Sequence, residues 1–343
     1  MKNLFKKILN KLRLEFSYFT GHNFYTLDYV SLITTFRCNF KCRTCDIWKK
    51  QNFDELDISQ WRKITTKLKT ELPTNTFIEI SGGEALIQTE LIIDLIKNLT
   101  NYFETVVLNT NGSIISENII AKLKSAGLNK IKLSLYSLDS ETHNFLRGTD
   151  IAYSSAIGAI DTITKSGIDL EVGVLITKQN ISQIPELINY FNKFERVSIV
   201  IQMLDEIIES LDSKNKSINN LEQNLWPNND AVNKFFNWLG VHMKNIKNSS
   251  ANLEAIKNYY LNPKSVLAYR CFSGQRNLVI YPNGDVALCF KRPVIGNLIR
   301  ENLNYILNKK AISERKAIGQ CQKYCRIIGC NFSRGLVEVI KGK

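Results

Sequence analysis

Histidine is scarce in this chain, whose 343 residues include three. His22, His143 and His242 lie far apart in the sequence and form no cluster, which disfavours a metal site built from imidazole ligands. Neither a Ser-His-Asp arrangement nor a pair of catalytic carboxylates can be identified from the sequence. These two hydrolytic devices therefore have no support in the sequence.

Long apolar runs are also missing. No segment reaches the roughly 18 consecutive apolar residues of a membrane-spanning helix, and no signal peptide with a small-residue cleavage site is found. The sequence shows no low-complexity tract and no internal repeat, while 44% of the residues are hydrophobic and 22% are charged. We expect a cytoplasmic protein with one large core and a smaller module.

Acidic residues are outnumbered, and the excess of Lys and Arg gives a formal net charge of +13. The first thirteen residues hold five basic residues and no acid, with apolar residues at helical spacing between them. This pattern predicts a basic amphipathic helix in residues 1–14, either docked on the body of the protein or lying peripherally on the inner membrane surface. Elsewhere the positive charge is spread out, so a nucleic-acid partner has weak support.

Cysteines occur in three groups, and this grouping fits metal sites in a reducing compartment better than a disulfide framework. The groups are Cys38, Cys42 and Cys45, then Cys271 and Cys289, and finally Cys321, Cys325 and Cys330. The first group follows residues 30–36, an apolar and β-branched run typical of a buried strand. Its thiols should therefore lie on the loop that leaves the C-terminal end of that strand.

The first group has the spacing C-x3-C-x2-C. Three thiolates can hold three irons of a [4Fe–4S] cluster, which leaves the fourth iron open to a small molecule. A structural zinc site takes four ligands in a closed tetrahedron, and this loop supplies three. An open cluster is the favoured interpretation, with a zinc knuckle and reduced bystander thiols as alternatives.

Strand and helix patterns alternate from residue 29 to about residue 205. We predict an α/β fold in which six parallel strands, with helices outside, form a partial (β/α)6 TIM-type barrel. Because successive side chains of a strand point to opposite faces, several strands carry polar side chains on one face, which predicts a polar lumen. The alternative is that these polar faces belong to edge strands exposed to solvent. Candidate substrate contacts in this lumen are Tyr136, Glu171 and Gln202.

A different module begins near Cys271. Two apolar runs, 278–281 and 286–289, flank an Asn-Gly pair, which predicts a β-hairpin. Hairpin, following helix and cysteines together predict a small C-terminal metal-binding domain, for which a zinc ribbon is one interpretation.

The cysteine loop resembles the signature loop of the radical S-adenosylmethionine (radical SAM) superfamily. That resemblance implies a [4Fe–4S] cluster bound by three cysteines and by SAM, whose cleavage gives a 5′-deoxyadenosyl radical for hydrogen abstraction. Thr44 departs from the family pattern, which has an aromatic residue there, and Trp48 is a candidate replacement. The resemblance assigns SAM binding to Gly82, Gly83, Glu84, Thr110, Asn111, Ser134 and Arg147.

The C-terminal cysteines resemble those of SPASM and twitch domains, extensions that hold auxiliary [4Fe–4S] clusters. This likeness implies one auxiliary cluster on Cys271 and Cys289, with further ligands from Cys321, Cys325 and Cys330. The chain departs from the full seven-cysteine SPASM arrangement. Its five C-terminal cysteines suffice for one auxiliary cluster and not for two. We expect an N-terminal segment at 1–26, a radical SAM core at 27–205, a helical linker at 206–265 and the cluster domain at 266–343.

The function that follows from these resemblances is oxidative modification of a peptide or small molecule. An electron donor such as flavodoxin or ferredoxin is implied as a partner. The alternative is a cysteine-rich zinc protein that binds nucleic acid without catalysis.

Overall fold

The structure, a computed structural model, describes residues 2–50, 53–205, 207–208, 218–219 and 224–325. Cys330 lies outside the described residues. The strands are β1 (Tyr29–Ile33), β2 (Phe77–Ser81), β3 (Thr105–Thr110), β4 (Lys130–Ser134), β5 (Asp169–Leu175), β6 (Val197–Gln202), β7 (Ile207–Ile208), β8 (Ile218–Asn219), β9 (Asn277–Ile280), β10 (Asp285–Ala287) and β11 (Val294–Asn297). The helices are α1 (Lys2–Thr20), α2 (Ile58–Glu71), α3 (Thr89–Thr100), α4 (Glu117–Ser125), α5 (Ser140–Arg147), α6 (Ala152–Ser166), α7 (Ile184–Phe191), α8 (Asn229–Leu239), α9 (Ser250–Leu261), α10 (Leu303–Tyr305) and α11 (Ala311–Gly319).

Strands β1 to β6 lie side by side in chain order and pair in parallel, with one or more helices in every connection. Parallel neighbours require such crossover connections, because the chain must return to the end of the sheet where the previous strand began before the next strand starts. The predicted α/β partial barrel is therefore confirmed. On β4 the side chains of Ile131 and Leu133 are fully buried against the helices, whereas Lys132 and Ser134 are partly exposed on the opposite face.

The C-terminal hairpin continues the same sheet. Strand β9 pairs in parallel with β1, and β10 and β11 follow it in antiparallel pairing, so the order is β11-β10-β9-β1-β2-β3-β4-β5-β6. The predicted hairpin turn has Gly284 at φ +83°, a conformation that favours glycine. Cys271 and Cys289 therefore flank the two strands, β9 and β10, that extend the sheet from β1.

Helices α8 and α9, from the segment expected to be a linker, pack into the main core. The Tyr260 hydroxyl donates to the carbonyl of Ile176 at 2.8 Å and accepts from the backbone N–H of Leu204 at 2.7 Å. Residues 245–247 run beside β6, where Ile199 donates to the Asn245 carbonyl at 2.8 Å. This backbone pairing covers the edge of β6, which would otherwise expose unpaired peptide groups.

Helix α1 docks through one face onto the C-terminal part of the chain. Its buried Leu14 and Ser17 face inward, and the Tyr18 hydroxyl donates to the Gly319 carbonyl at 3.2 Å. Glu15 forms an ion pair with Arg270. Among the described residues, no helix is both long enough and apolar enough to cross a membrane.

Candidate functional site

The cysteine loop follows β1 and is held against the loop that follows β2. The backbone N–H groups of Gly83 and Glu84 donate to the carbonyls of Thr35 and Arg37, both at 2.9 Å. A Cβ atom on Gly83 would overlap with the Arg37 carbonyl. Glycine is thus required for the two loops to approach this closely.

The other side of the loop rests on the C-terminal end of α5. Arg43 donates its backbone N–H to the Leu146 carbonyl at 3.1 Å. Gly148 ends the helix at φ +69°, and a side chain there would overlap with the Lys41 carbonyl. The loop that carries the three thiols is therefore fixed from two sides by backbone contacts.

Glu84 connects the loops after β1, β2 and β3. Its carboxylate accepts hydrogen bonds from the Thr110 hydroxyl at 2.8 Å and from the backbone N–H groups of Asn111 at 2.7 Å and Leu86 at 3.1 Å. The Asn111 side chain in turn donates to Oδ1 of Asn39, within the cysteine loop, at 2.8 Å. Glu84 is 1% exposed, and this burial raises the pKa of its carboxyl group. Two of these partners, Thr110 and Asn111, line the cavity described next.

A cavity of about 250 Å³ brings the predicted residues together. The three thiols of the cysteine loop and Trp48 line it, together with Tyr136, one of the predicted substrate contacts. The predicted cofactor-binding residues in its wall are Gly82, Gly83, Thr110, Asn111, Ser134 and Arg147. Glu84 does not line it and lies behind the wall.

The three thiols suit an iron–sulfur ligand set. No disulfide links the cysteines in the described part of the chain. Burial raises the pKa of Cys45 to about 12 and also raises that of Cys38. Soft sulfur donors that converge on one cavity, and that a metal must deprotonate, fit a cluster held by three thiolates.

Arg147 provides a buried charge at this cavity. Its Nη1 donates to the Tyr136 hydroxyl at 3.1 Å, while its Nε has no hydrogen-bond partner among the described residues. A carboxylate in the cavity would satisfy that donor with a charge-assisted hydrogen bond. His143 accepts the Tyr136 backbone N–H on Nδ1 at 3.1 Å, and burial, with Arg147 nearby, lowers the pKa of His143 to about 3. His143 is therefore a neutral acceptor.

A second cavity, of about 470 Å³, occupies the lumen and shares several wall residues with the first. The shared residues are Thr44, Cys45, Ser81, Asn109 and Leu175. Glu79, Lys132 and the predicted Gln202 line its polar side. The predicted Glu171 lies outside this lining but has its Oε1 3.8 Å from Nζ of Lys132. These shared residues place the two cavities next to each other, between the cysteine loop and the lumen.

The C-terminal cysteines converge at a second centre. Cys271, Cys289, Cys321 and Cys325 line one small cavity between the hairpin and the end of α11. Burial raises the pKa of Cys325 to about 12 and raises that of Cys289. Four thiols around one space match the full ligand set of a four-iron cluster.

The segment Cys289–Lys291 separates this centre from the lumen. Phe290 lines the lumen, and Nζ of Lys291 lies 3.1 Å from Oδ2 of Asp205, another lumen residue. Sequence reasoning missed these two residues, as well as Asn39 and Gly148. Gly148 could have been found, since a glycine directly after a predicted helix is a C-cap signal; the other three depend on long-range contacts.

Two family models match the chain. One, described as the radical SAM superfamily, matches residues 32–191, and the other, SPASM, described as an iron–sulfur cluster-binding domain, matches residues 271–331. A curated relative, the probable GTP 3′,8-cyclase of Sulfurisphaera tokodaii, is 28% identical over 167 residues, which are 48% of this chain and 52% of the relative. The chain thus spans about half the length of the curated relatives it matches.

Two solved structures show the same fold. SuiB of Streptococcus suis bound to precursor peptide SuiA aligns with a TM-score of 0.65 and 16% identity, over 85% of this chain and 67% of that chain. Native anSMEcpe with bound AdoMet and Cp18Cys peptide aligns with a TM-score of 0.62 and 17% identity, over 87% of this chain and 85% of that chain.

Proposed function

Since the chain belongs to the radical SAM superfamily of enzymes and carries a SPASM-type cluster domain, we propose that it oxidatively modifies a peptide. Its cofactors are a [4Fe–4S] cluster, SAM and auxiliary iron–sulfur cluster content in the SPASM domain. One observation carries the proposal. The three thiols of the cysteine loop and six of the seven predicted SAM residues line a single cavity that shares wall residues with a second cavity in the lumen.

Cys38, Cys42 and Cys45 hold the catalytic cluster in this proposal. When bound, a [4Fe–4S] cluster would supply the electron for reductive cleavage of SAM, which would lead to hydrogen abstraction from the substrate. Arg147 binds the SAM carboxylate through its unpartnered Nε. Gly82, Gly83, Thr110, Asn111 and Ser134 supply the remaining wall. Glu84 acts as a positioning residue, because its carboxylate holds the Thr110–Asn111 turn from behind.

A peptide substrate has two supports. The lumen cavity is about 470 Å³ in volume and shares wall residues with the cavity of the cysteine loop, so a side chain bound in the lumen would lie next to the SAM region. Two structural neighbours carry peptides, although their likeness extends to the fold alone. Small-molecule modification is the second candidate, because the curated relatives include GTP cyclases.

Cys271, Cys289, Cys321 and Cys325 are proposed to hold one auxiliary [4Fe–4S] cluster. Phe290 lines the lumen and Lys291 lines the cavity of these cysteines, which supports a role for the cluster in accepting an electron from the substrate radical or in anchoring the substrate. We also propose the domain boundaries expected from the sequence, with the radical SAM core at 27–205 and the cluster domain at 266–343. A flavodoxin or ferredoxin supplies the electron for the catalytic cluster.

We also place the enzyme in the cytoplasm, at an anionic membrane surface. The exposed apolar face of α1 supports this, with Ile8, Leu12, Phe16 and Phe19 exposed by 47%, 38%, 61% and 69%. The neighbouring basic residues complement an acidic lipid surface. We expect co-sedimentation with phosphatidylglycerol vesicles and none with phosphatidylcholine vesicles. Phe16→Ser with Phe19→Ser should abolish it, and unchanged binding by this variant would contradict the proposal.

The catalytic proposal is tested by replacing Cys42 with Ala in anaerobically reconstituted protein. The native protein should hold about eight irons per chain and form 5′-deoxyadenosine with dithionite. The variant should lose about half of the iron and all 5′-deoxyadenosine formation. An exposed substitution, Glu90→Gln on α3, is the control. Retained SAM cleavage in Cys42→Ala would remove this loop from the catalytic site.

A further inference from the structure

The outer surface of the cysteine loop is strongly basic. Residues 37–50 contain five basic residues and one acid, Asp46, which is 5% exposed. The basic residues are Arg37, Lys41, Arg43, Lys49 and Lys50. The name "cationic collar" is used below for these five residues. Glu55 pairs with Arg37 at 2.7 Å, and the collar keeps a net positive charge because its five basic residues outnumber the acids Asp46 and Glu55.

Thiols and cations have opposite orientations on this loop. Cys42 is buried and lines the cavity, whereas its two chain neighbours, Lys41 and Arg43, are exposed. Cys38 likewise follows the exposed Arg37. A molecule that contacts the collar therefore lies one residue away from ligands of the catalytic cluster. This surface offers a covalent path from solvent to the cluster that is only one residue long.

Several collar cations are held over aromatic rings. The Arg43 guanidinium lies 4.1 Å from the ring centre of Phe145, which is 42% exposed, and its Nε donates to the Phe145 carbonyl at 3.1 Å. Nζ of Lys49 lies 5.5 Å from the Trp48 ring and that of Lys41 lies 6.0 Å from it. Such contacts reduce side-chain freedom, so less entropy is lost when a partner binds. The collar with Phe145 has the charged rim and apolar contact typical of transient protein interfaces.

We propose that the cationic collar is the docking surface for an acidic one-electron donor protein. The inference rests on the proposed function, because the docked donor passes its electron to the cluster held by Cys38, Cys42 and Cys45. One electron leaves the reduced flavin of the donor, which becomes a semiquinone, and the cluster is reduced by that electron. Positive charge on the collar attracts the acidic donor and orients it before contact.

The test compares two reductants on the full chain with reconstituted clusters and SAM. The probes are a purified acidic flavodoxin in its reduced form and dithionite, a small reductant that needs no docking surface. Flavodoxin binding is measured by calorimetry, and 5′-deoxyadenosine formation is measured with each reductant over a range of ionic strength. The variant is Lys41→Glu with Lys49→Glu, which leaves the Arg43 contacts intact. The control variant, Lys63→Glu with Lys193→Glu, changes the net charge by the same amount. Lys63 is exposed on α2, and Lys193 is exposed just after the end of α7.

For the native protein we expect flavodoxin affinity and flavodoxin-driven cleavage to fall steeply as salt rises, since the Debye length is about 10 Å at 0.1 M. At low salt the collar variant should lose at least about tenfold in both, with dithionite-driven cleavage and iron content unchanged. The control variant should lose far less. Equal losses in both variants, or no loss in the collar variant, would overturn the proposal. Native protein that responds to dithionite but not to flavodoxin would also overturn it. Absence of cleavage with dithionite would instead overturn the proposed function itself.

Discussion

Replacing Glu84 with Gln tests whether this carboxylate positions the SAM cavity or contacts SAM. The residue is 1% exposed and accepts three hydrogen bonds, two from backbone N–H groups and one from the Thr110 hydroxyl. Glutamine has nearly the same shape, but its NH2 group must face a donor, either at Asn111 or at Leu86. One buried N–H then loses its acceptor.

The size of the effect follows from these contacts. Hydrogen bonds to charged groups contribute about 1.5–3 kcal/mol, and an unsatisfied buried donor costs about 1–3 kcal/mol. Removal of a buried charge offsets part of this loss, because burial already raises the pKa of Glu84. We expect a net loss of about 2 kcal/mol in the free energy of unfolding, and a fall in Tm of roughly 3 °C.

Thermal unfolding by circular dichroism and SAM affinity by calorimetry, measured well below Tm, distinguish the two roles. A positioning role predicts the loss of stability with SAM affinity reduced by no more than about tenfold, equal to about 1.4 kcal/mol. The exposed Glu90→Gln variant is the matched control. An unchanged Tm together with a loss of affinity of about 100-fold would refute the reasoning and make Glu84 a direct ligand of SAM.

Two further predictions concern the auxiliary centre and acid stability. The double variant Cys271→Ala with Cys289→Ala should keep about half of the iron and retain SAM cleavage without substrate, while substrate modification is lost; iron analysis with intact turnover would contradict the auxiliary ligand set. Because the pKa of His143 is lowered to about 3 in the folded protein, protons bind preferentially to the unfolded chain below the ordinary value of about 6.5. The stability that neutral His143 provides is therefore complete above pH 7 and falls by about 2 kcal/mol between pH 7 and pH 5. For His143→Asn, the free energy of unfolding measured with urea should fall by about 2 kcal/mol less between pH 7 and pH 5 than it does for the native protein. The exposed control His22→Asn should follow the native protein. An equal pH dependence of the two variants would contradict the assignment.

Much of the candidate site was predictable, because its residues are attached to strand ends. The cysteines, Gly82 and Gly83, the Thr110–Asn111 pair and Ser134 each follow or end a strand that period-two patterning identifies. Carboxyl ends of parallel strands meet at one edge of a sheet, so local patterns imply their proximity. The roles assigned to these residues are still predictions, and the part played by Glu84 depends on which way its side chain turns.

By itself the sequence determined the alternation of strands and helices, the hairpin around Gly284 and the spacing of the thiols, since each depends on residues close together in the chain. Tertiary structure alone decided the placement of β9 beside β1 and the covering of the β6 edge by residues 245–247. These contacts join segments separated by tens to hundreds of residues. Their formation depends on the packing of whole elements and on unpaired backbone groups that need partners, neither of which leaves a local pattern in the sequence.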